Sequence, residues 1–369
     1  INSKALIYVE QKKYDLAIKE YSKGILLKEI DPEGAAYCYR NRAEQYERLR
    51  EYDKALADYD SVIVLDPENV NRYNNRAWFY SDIKKDYDLA FIDFTKAIEL
   101  APDGPNNYNA RADFYKDYSK YDLALTDYAK AIELNSDIYE TARAINNRAL
   151  IYEELGEIKL AIDEFSKILT STEIKNGIGD FYTSKTFTNR AGDWELLKFN
   201  DSALLDYTKA IDYDNSNADK YSDRAWFYYE QKEYNQSIVD FTRATELDLD
   251  DADNWRMLGY VYHYGLKDYE KALNYYEKSL EVDSTYVSSI NSKALIYVEQ
   301  KKYDLAIKEY ERGIALKEID PEGAAYCYRN RATQYERLRQ FDKALADYDS
   351  AIALEPENAD RYCNRAWFY

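Results

Sequence analysis

The stretch NRAEQYERLREYDKALADYDSVIVLDPEN, residues 41–69, predicts two antiparallel helices joined by a short turn. Apolar residues recur at helical spacing in two segments of roughly 13 residues each. The small residues Ala43 and Ala55 fall where the two helices would touch, because only a small side chain permits close approach. Tyr46 and Tyr59 would fill the space around them. Pro67 cannot continue the second helix and marks its end.

The same pattern returns along the whole chain when it is aligned on the alanine of NRA. These anchors recur every 34 to 42 residues. They are Ala5, Ala43, Ala77, Ala112, Ala149, Ala191, Ala225, Gly259, Ala294, Ala332 and Ala366. A single helical hairpin cannot bury its apolar face alone, so we expect neighbouring hairpins to stack.

In each unit an aromatic residue follows the anchor by three positions, and in most units the motif A(I/L)xxY/F comes later. With these features the chain resembles the tetratricopeptide repeat family over essentially its whole length, in about ten repeats. The resemblance implies an all-α, right-handed superhelical α-solenoid whose concave groove is lined by the first helix of each pair. We expect one continuous solenoid over residues 1–369, with residues 170–182 as a mobile loop.

A longer period overlies the repeats. Residues 1–80 recur at 290–369 with identity at 68 of 80 positions and an offset of 289 residues. Eight repeats make up this offset, so the chain has a superperiod of 289 residues. Because both ends fall inside a repeat, we expect the chain to be a segment of a longer tandem array.

Composition limits the classes of partner. The net charge of −19 disfavours nucleic acid and anionic membrane surfaces and favours basic partners. No apolar stretch is long enough to span a bilayer, and no signal peptide opens the chain. The sequence therefore favours no compartment, and cytoplasmic and cell-surface placements are equally compatible with it.

A pair of charges recurs in step with the anchors. The residue before the anchor is usually Arg, and the residue before the second-helix aromatic is usually acidic. We expect ion pairs between Lys4 and Glu20, Arg42 and Asp58, Arg76 and Asp93, Arg111 and Asp127, Arg148 and Glu164, Arg190 and Asp206, Arg224 and Asp240, Lys293 and Glu309, and Arg331 and Asp347. One unit replaces both partners, with Leu258 and Tyr275. The pairs either fix the register of each hairpin or bridge adjacent repeats.

Two sets of residues are candidates for peptide binding in the groove. Asparagine precedes the basic residue at Asn41, Asn75, Asn147, Asn189, Asn330 and Asn364. Tryptophan follows the anchor at Trp78, Trp226 and Trp367. The resemblance implies that both positions face the groove, where an amide offers a donor and an acceptor to a peptide and an indole offers an anchor surface. The alternatives are local hydrogen bonding by the amides and packing of the indoles on neighbouring hairpins.

Nothing in the sequence indicates catalysis. It contains no phosphate-binding loop, nucleophile elbow or paired-carboxylate motif, so we expect no catalytic residue, no cofactor and no metal. We place the single histidine, His263, at the surface. The sequence predicts a non-enzymatic scaffold that binds peptide or protein partners. The alternative is a structural fibre or spacer, in which near-identical 289-residue units self-assemble into filaments.

Overall fold

The computed structural model describes the backbone of residues 2–368 and the side chains of residues 3–363, 365 and 366. Within this part of the chain it contains α-helices, two short π-helical segments and no strand. The helices are α1 (Asn2–Glu10), α2 (Tyr14–Ile25), α3 (Pro32–Arg48), α4 (Tyr52–Leu65), α5 (Val70–Trp78), α6 (Tyr87–Leu100), α7 (Pro105–Asp117), α8 (Tyr121–Leu134), α9 (Ile138–Glu154), α10 (Ile158–Thr170), α11 (Thr172–Leu196), α12 (Asn200–Tyr213), α13 (Ala218–Glu230), α14 (Tyr234–Leu247), α15 (Ala252–Tyr260), α16 (Tyr269–Val282), α17 (Val287–Glu299), α18 (Tyr303–Ile314), α19 (Pro321–Arg337), α20 (Phe341–Leu354) and α21 (Ala359–Phe368). The π-helical segments, Phe79–Lys84 and Val261–Gly265, extend α5 and α15.

The chain divides into two compact units, Ile1–Lys198 and Phe199–Tyr369. In the first unit, α1 to α10 form five hairpins of consecutive helices, and α11 packs on the last of them. In the second unit, α12 packs on α13, and α13 to α20 form four hairpins followed by α21. Each unit is a stack of antiparallel helix pairs, so the predicted all-α solenoid fold is confirmed. The expectation of one uninterrupted solenoid stays a prediction.

The anchors are where paired helices touch. Ala43 and Ala55 are completely buried, and so are eight further anchor alanines. These are Ala5, Ala77, Ala112, Ala149, Ala191, Ala225, Ala294 and Ala332. At Gly259 an added Cβ would lie 2.8 Å from the ring of Tyr276, which is closer than carbon atoms pack. Small residues therefore recur at the anchor because the second helix lies directly against it.

The turn inside each hairpin carries one residue with a left-handed backbone. Eight such residues have φ between 54° and 63°, namely Lys12, Arg50, Lys85, Ser119, Lys232, Lys267, Lys301 and Arg339, and Lys198 after α11 has the same backbone, at φ 64°. The turn between α9 and α10 has Gly156 there, at φ 76°. Left-handed backbone is costly for a residue with a Cβ, and glycine adopts it freely.

Replacing Lys301 with glycine is expected to raise the free energy of unfolding by about 0.5–1 kcal/mol. The substitution removes a steric cost of about 1–2 kcal/mol, which exceeds the additional backbone entropy that glycine loses on folding. Urea denaturation followed by circular dichroism measures the change. The reverse substitution, Gly156→Lys, should shift the unfolding midpoint the other way, and a shift of both variants in one direction would contradict this account of the turn.

The prediction of a loop at residues 170–182 is wrong. Helix α10 runs through Thr170 and α11 begins at Thr172, so only Ser171 separates them. The Ser171 hydroxyl accepts a hydrogen bond from the backbone N–H of Ile174 at 3.2 Å and caps α11. Gly179 interrupts α11 with φ 78° and ψ 174°, which changes the direction of the chain. The additional residues therefore form a helical segment, here called the insert (residues 172–182).

Candidate functional site

The charged pairs that recur with the anchors lie between the two helices of a hairpin. Arg42 donates from Nε and Nη2 to the two carboxylate oxygens of Asp58, at 2.7 Å each. The same two-point contact joins Arg76 to Asp93, Arg111 to Asp127, Arg224 to Asp240 and Arg331 to Asp347. Single contacts join Lys4 to Glu20, Arg148 to Glu164 and Lys293 to Glu309. Arg190 and Asp206 belong to different units, and their pairing stays a prediction.

Many of these arginines also reach the preceding hairpin. The remaining guanidinium nitrogen of Arg42, Nη1, donates to the hydroxyl of Ser22 on α2 at 2.8 Å. Corresponding bonds join Arg76 to Asp60, Arg111 to Thr95, Arg190 to Ser166 and Arg224 to Thr208. The two roles weighed from the sequence, register within a hairpin and a bridge between repeats, thus occur in one side chain. The hydrogen bonds with Asp93 raise the pKa of Arg76, so this guanidinium stays charged.

Sequence reasoning missed the second acceptor, although a signal was present. The acceptor always lies two residues after the acidic partner of the preceding hairpin, and it is a hydroxyl or a carboxylate. Before Arg148 this position is Ala129, which has no polar side chain. The Nε of Arg148 is buried without a hydrogen-bond partner for a different reason: Arg148 reaches its acidic partner Glu164 through Nη2 alone.

His263 is buried and not at the surface, so that prediction is wrong. Its Nδ1 lies 3.2 Å from the hydroxyl of Tyr276, and its ring stacks on Tyr264 at a centroid distance of 3.9 Å. Burial lowers the pKa of His263. The matching position carries Glu47 in another repeat, where it accepts a hydrogen bond from the second-helix Tyr59 at 2.6 Å. Alignment of the repeats could therefore have predicted that His263 is buried.

The asparagines predicted to face the groove largely bind within the chain. Asn41 is buried and donates to the carbonyl of Tyr37, one turn earlier, at 2.7 Å. Asn330 donates to the side chain of Asn291 at 2.8 Å. These bonds occupy amide groups that the prediction assigned to a peptide. Asn189 is half-buried on α11, and the side chain of Asn364 lies outside the described residues.

The tryptophans pack against aromatic side chains of the chain itself, and Trp226 also meets Tyr260 of the next hairpin at 5.4 Å. Trp78 meets Phe94 edge to face at 5.0 Å, and Trp226 meets Phe241 in the same way at 5.6 Å. Both indoles are half-buried, so part of each remains accessible. The side chain of Trp367 lies outside the described residues.

Asn75 and Trp78 meet at a cleft between α3 and α5, here called the acidic cleft. It has a volume of about 210 Å³. Its lining consists of Glu44, Glu47, Tyr59, Asn75, Trp78, Phe79, Asp82 and Ile83. Burial and the nearby carboxylates of Glu44 and Asp82 raise the pKa of Glu47. Three carboxylates beside an indole form a surface suited to a basic group.

A second cleft, here called the α9–α11 cleft, lies between two neighbouring first helices and also measures about 210 Å³. It is lined by Tyr139, Ala142, Arg143, Asn146, Asn147, Ile168, Ile178, Tyr182, Lys185 and Thr186. Among these described side chains are two cations and no carboxylate. The charge of this cleft is therefore opposite to that of the acidic cleft and of the chain as a whole.

The insert builds one wall of the α9–α11 cleft. Gly177 lies so close to α9 that an added Cβ would be 2.5 Å from the Ile138 side chain. Beyond Gly179 the chain turns and presents Tyr182, whose hydroxyl is 3.1 Å from that of Tyr139 on the opposite wall. The two tyrosine rings meet at right angles, 5.6 Å apart, at the rim of the cleft. Two glycines thus bring an aromatic pair together across the cleft.

Two polar residues of the lining, Arg143 and Asn147, are bound to side chains outside it. Arg143 forms ion pairs with Asp113 and with Glu140, the latter at 3.0 Å. Asn147 donates from Nδ2 to Asp113 at 2.9 Å, so this amide too is engaged within the chain. Lys185 is exposed and, in the part of the chain that the structure describes, forms no ion pair. It is therefore the cation in this cleft that is available to a partner.

Replacing Gly179 with alanine is expected to lower the free energy of unfolding by about 1–3 kcal/mol. Its φ and ψ lie in a region that is essentially restricted to glycine. Gly192 is the matched control on the same helix, because an added Cβ there meets nothing within 4 Å. Gly192→Ala should raise the free energy of unfolding by about 0.5–1 kcal/mol. Denaturation with urea measures both changes, and equal shifts would contradict the role of Gly179.

The described residues hold no cluster of three or more His, Cys, Asp or Glu side chains that suits a metal ion. No helix in residues 2–368 has both the length and the hydropathy that crossing a bilayer requires.

Models of the tetratricopeptide repeat match most of the chain, at residues 1–31, 36–69, 70–103, 110–175, 252–286, 287–320 and 325–358. The chain is 34% identical over 106 residues to the STIP1 homolog of Dictyostelium discoideum, which covers 27% of this chain and 18% of that protein. It is 36% identical over 93 residues to the Hsp70-Hsp90 organizing protein of Triticum aestivum, and this match covers 24% of this chain and 15% of the wheat protein. The chain thus spans less than a fifth of either relative. The C-terminal part of a tetratricopeptide repeat-containing protein from Cytophaga hutchinsonii has a TM-score of 0.49 at 20% identity, covering 69% of this chain and 98% of that one.

Proposed function

Because the chain belongs to the tetratricopeptide repeat family, we propose that it is a non-enzymatic scaffold that binds peptide or protein partners on the faces of its first helices. The observation that carries the proposal is the α9–α11 cleft, which lies between two first helices and has an aromatic rim. Tyrosine is among the residues that contribute most to protein interfaces. Tyr139 and Tyr182 remain 44% and 42% exposed although their rings touch.

The relatives support the class of activity and not a particular partner. The wheat protein is named for organising Hsp70 and Hsp90, which is a protein-binding role. The Lys/Asn/Arg set that clamps chaperone C-terminal carboxylates in some members of the family is not reproduced at the matching positions of this chain. We therefore propose protein binding without assigning a chaperone as the partner.

A basic group is the proposed occupant of the acidic cleft. Glu44, Glu47 and Asp82 supply negative charge, and the exposed part of Trp78 supplies an aromatic surface for a cation. Asn75 lies in the same lining, where its amide can bind a peptide backbone. The interaction should weaken as salt is added, because exposed charges are screened.

The alternative of a self-assembling strand of 289-residue units rests on the near-identity of residues 1–80 and 290–369. We favour partner binding because a purely structural array has no need of a glycine-shaped cleft in one of its repeats. Sedimentation velocity over a range of concentrations distinguishes the two functions. A single monomeric species supports the scaffold, and filaments that grow with concentration support the strand.

The proposal is tested with the chain labelled at its isoleucine methyl groups and titrated with a random peptide pool. First helices contain Ile145, Ile151, Ile178 and Ile290, whereas second helices contain Ile18, Ile63, Ile92 and Ile132. We expect chemical-shift changes to concentrate on the first set. Absence of any change, or changes confined to the second set, would overturn binding through the first helices.

A further inference from the structure

The size of the α9–α11 cleft suits one side chain. Its volume of about 210 Å³ lies below the range of about 300–1,000 Å³ that is usual for small-molecule sites. Ala142 and Ile168 line it and are themselves buried, and Ile178 of the insert adds a third apolar surface. A cofactor or metabolite would find little room, whereas a single bulky side chain from a peptide would be surrounded by apolar atoms.

The polar groups of the cleft favour an apolar group inside it. The hydroxyl of Thr186 donates to the carbonyl of Tyr182 at 2.8 Å, and the hydroxyls of Tyr139 and Tyr182 face each other. Asn147 donates to Asp113. Since these groups already have partners within the chain, a polar occupant would lose its bonds to water without gaining equivalent ones.

The rim of the cleft favours a carboxylate next to that apolar group. Arg143 is balanced by ion pairs with Asp113 and Glu140, which are not among the residues that line the cleft. Lys185 is left as an exposed ammonium with no ion pair among the described residues. In a chain of net charge −19, two cations and no carboxylate in one lining are unexpected from composition alone. The acidic cleft has the same volume but is lined by carboxylates. The sign of the charge in each cleft is therefore set by the residues that line it.

We propose that the α9–α11 cleft is a pocket for one bulky apolar side chain of a partner peptide, and that a carboxylate beside that side chain binds to Lys185. The proposal rests on the proposed function and adds the chemistry of the bound segment. The pocket exists because Gly177 and Gly179 hold the insert against α9, so it belongs to this repeat and not to the repeated pattern. The carboxylate can come from an acidic side chain or from the C-terminus of a partner.

The test uses the intact chain with labelled isoleucine methyl groups and short synthetic peptides. The first probe is acetyl-GSFEGS-amide, which should shift the methyl signals of Ile168 and Ile178. Replacing its Phe with Ala should weaken binding about tenfold or more. Replacing its Glu with Lys should weaken binding roughly two- to fivefold, as expected for loss of an exposed ion pair. Acetyl-GSGSF with a free carboxylate, compared with its amide, distinguishes a terminal carboxylate from a side-chain carboxylate.

Charge reversal in the protein completes the test. Lys185→Glu should reduce binding of the Glu peptide and increase binding of the Lys peptide, which a general loss of stability could not produce. Lys159→Glu, at an exposed position on α10 outside the lining, should leave both affinities unchanged. Equal binding of the Glu and Lys peptides, or shifts at first-helix isoleucines other than Ile178 without shifts at Ile168 on α10 and Ile178 on α11, would overturn this inference while leaving the proposed function intact. Failure of every peptide at every first helix would overturn the proposed function itself.

Discussion

Replacing Arg42 with alanine is expected to lower the free energy of unfolding by about 3–5 kcal/mol. The substitution leaves the Asp58 carboxylate buried without its partner, which is the costly way to break a buried ion pair. Both hydrogen bonds to Asp58 measure 2.7 Å, and the side chain of Asp58 is only 6% exposed. The bond to Ser22 on the preceding hairpin is lost as well. Urea denaturation of the single variants, Arg42→Ala and Asp58→Ala, and of the double variant measures the coupling.

Arg40 provides the control for this prediction. It lies on the same helix and pairs with Glu44 one turn later, but its side chain is 40% exposed. Such a surface pair contributes little, so Arg40→Ala should cost about 0.5 kcal/mol or less. The double variant of Arg42 and Asp58 should be more stable than the sum of the single effects predicts. Strictly additive effects would rule out direct coupling between the two residues.

Replacing Asp193 with asparagine is expected to stabilise the protein at neutral pH and to remove a pH dependence. Asp193 is 2% exposed, and its Oδ2 has no hydrogen-bond partner. Burial, with a contribution from nearby Glu153, raises the pKa of Asp193 to about 7. The matching position in other repeats is a buried apolar or amide residue, namely Gln45, Phe79, Phe114, Ile151, Phe227, Val261, Ile296 and Gln334. A carboxylate is therefore placed where other repeats have no charge.

The direction of the pH effect follows from the raised pKa. The folded state holds the proton of Asp193 up to about pH 7, whereas the unfolded state releases it near pH 4. The wild-type chain should therefore lose stability relative to Asp193→Asn as the pH rises from about 4 to 7, and the difference should be constant above that. A shift of this size corresponds to a difference on the order of 4 kcal/mol at its plateau.

Urea midpoints measured across this pH range provide the readout. Asp163→Asn, at an exposed position on α10, is the matched control and should run parallel to the wild type. If the urea midpoints of Asp193→Asn and the wild type changed with pH in parallel, Asp193 would not be a buried, protonated acid in the folded state.

The local pattern of the sequence was sufficient to predict the hairpins. Ala43, Ala55 and Tyr59 recur at helical spacing, and each lies in the helix and the interface that its position predicts. The pairing of Arg42 with Asp58 was visible because the two positions change together, as in the unit with Leu258 and Tyr275. Packing within a hairpin is repeated along the chain. The residues at one position can therefore be compared across the repeats.

Contacts between hairpins were harder to predict, because they depend on neighbours and not on the repeat itself. Ile296 is buried against Ala272 and Tyr276, which belong to the hairpin before it. Its burial therefore depends on residues that its own repeat does not contain.

The α9–α11 cleft could not be predicted for a related reason. Residues 170–182 are polar and break the repeat spacing, which is typical of a loop. Their helical structure depends on the cap at Ser171 and on the close approach of Gly177 to Ile138, which only the tertiary structure reveals. The predicted amide of Asn147 does lie in the cleft lining, but it is engaged by Asp113.

The arginine bonds that reach the preceding hairpin have a consequence for how the stack melts. In a linear array, cooperativity is set by the coupling between nearest neighbours. Each bond from an arginine such as Arg76 to Asp60 adds to that coupling, so one hairpin cannot open without weakening its neighbour. The side chain of Leu258, which replaces the arginine in its repeat, cannot form such a hydrogen bond to α14. Amide hydrogen exchange in the second unit is therefore expected to divide at α14 and α15, where one cooperative block gives way to the next.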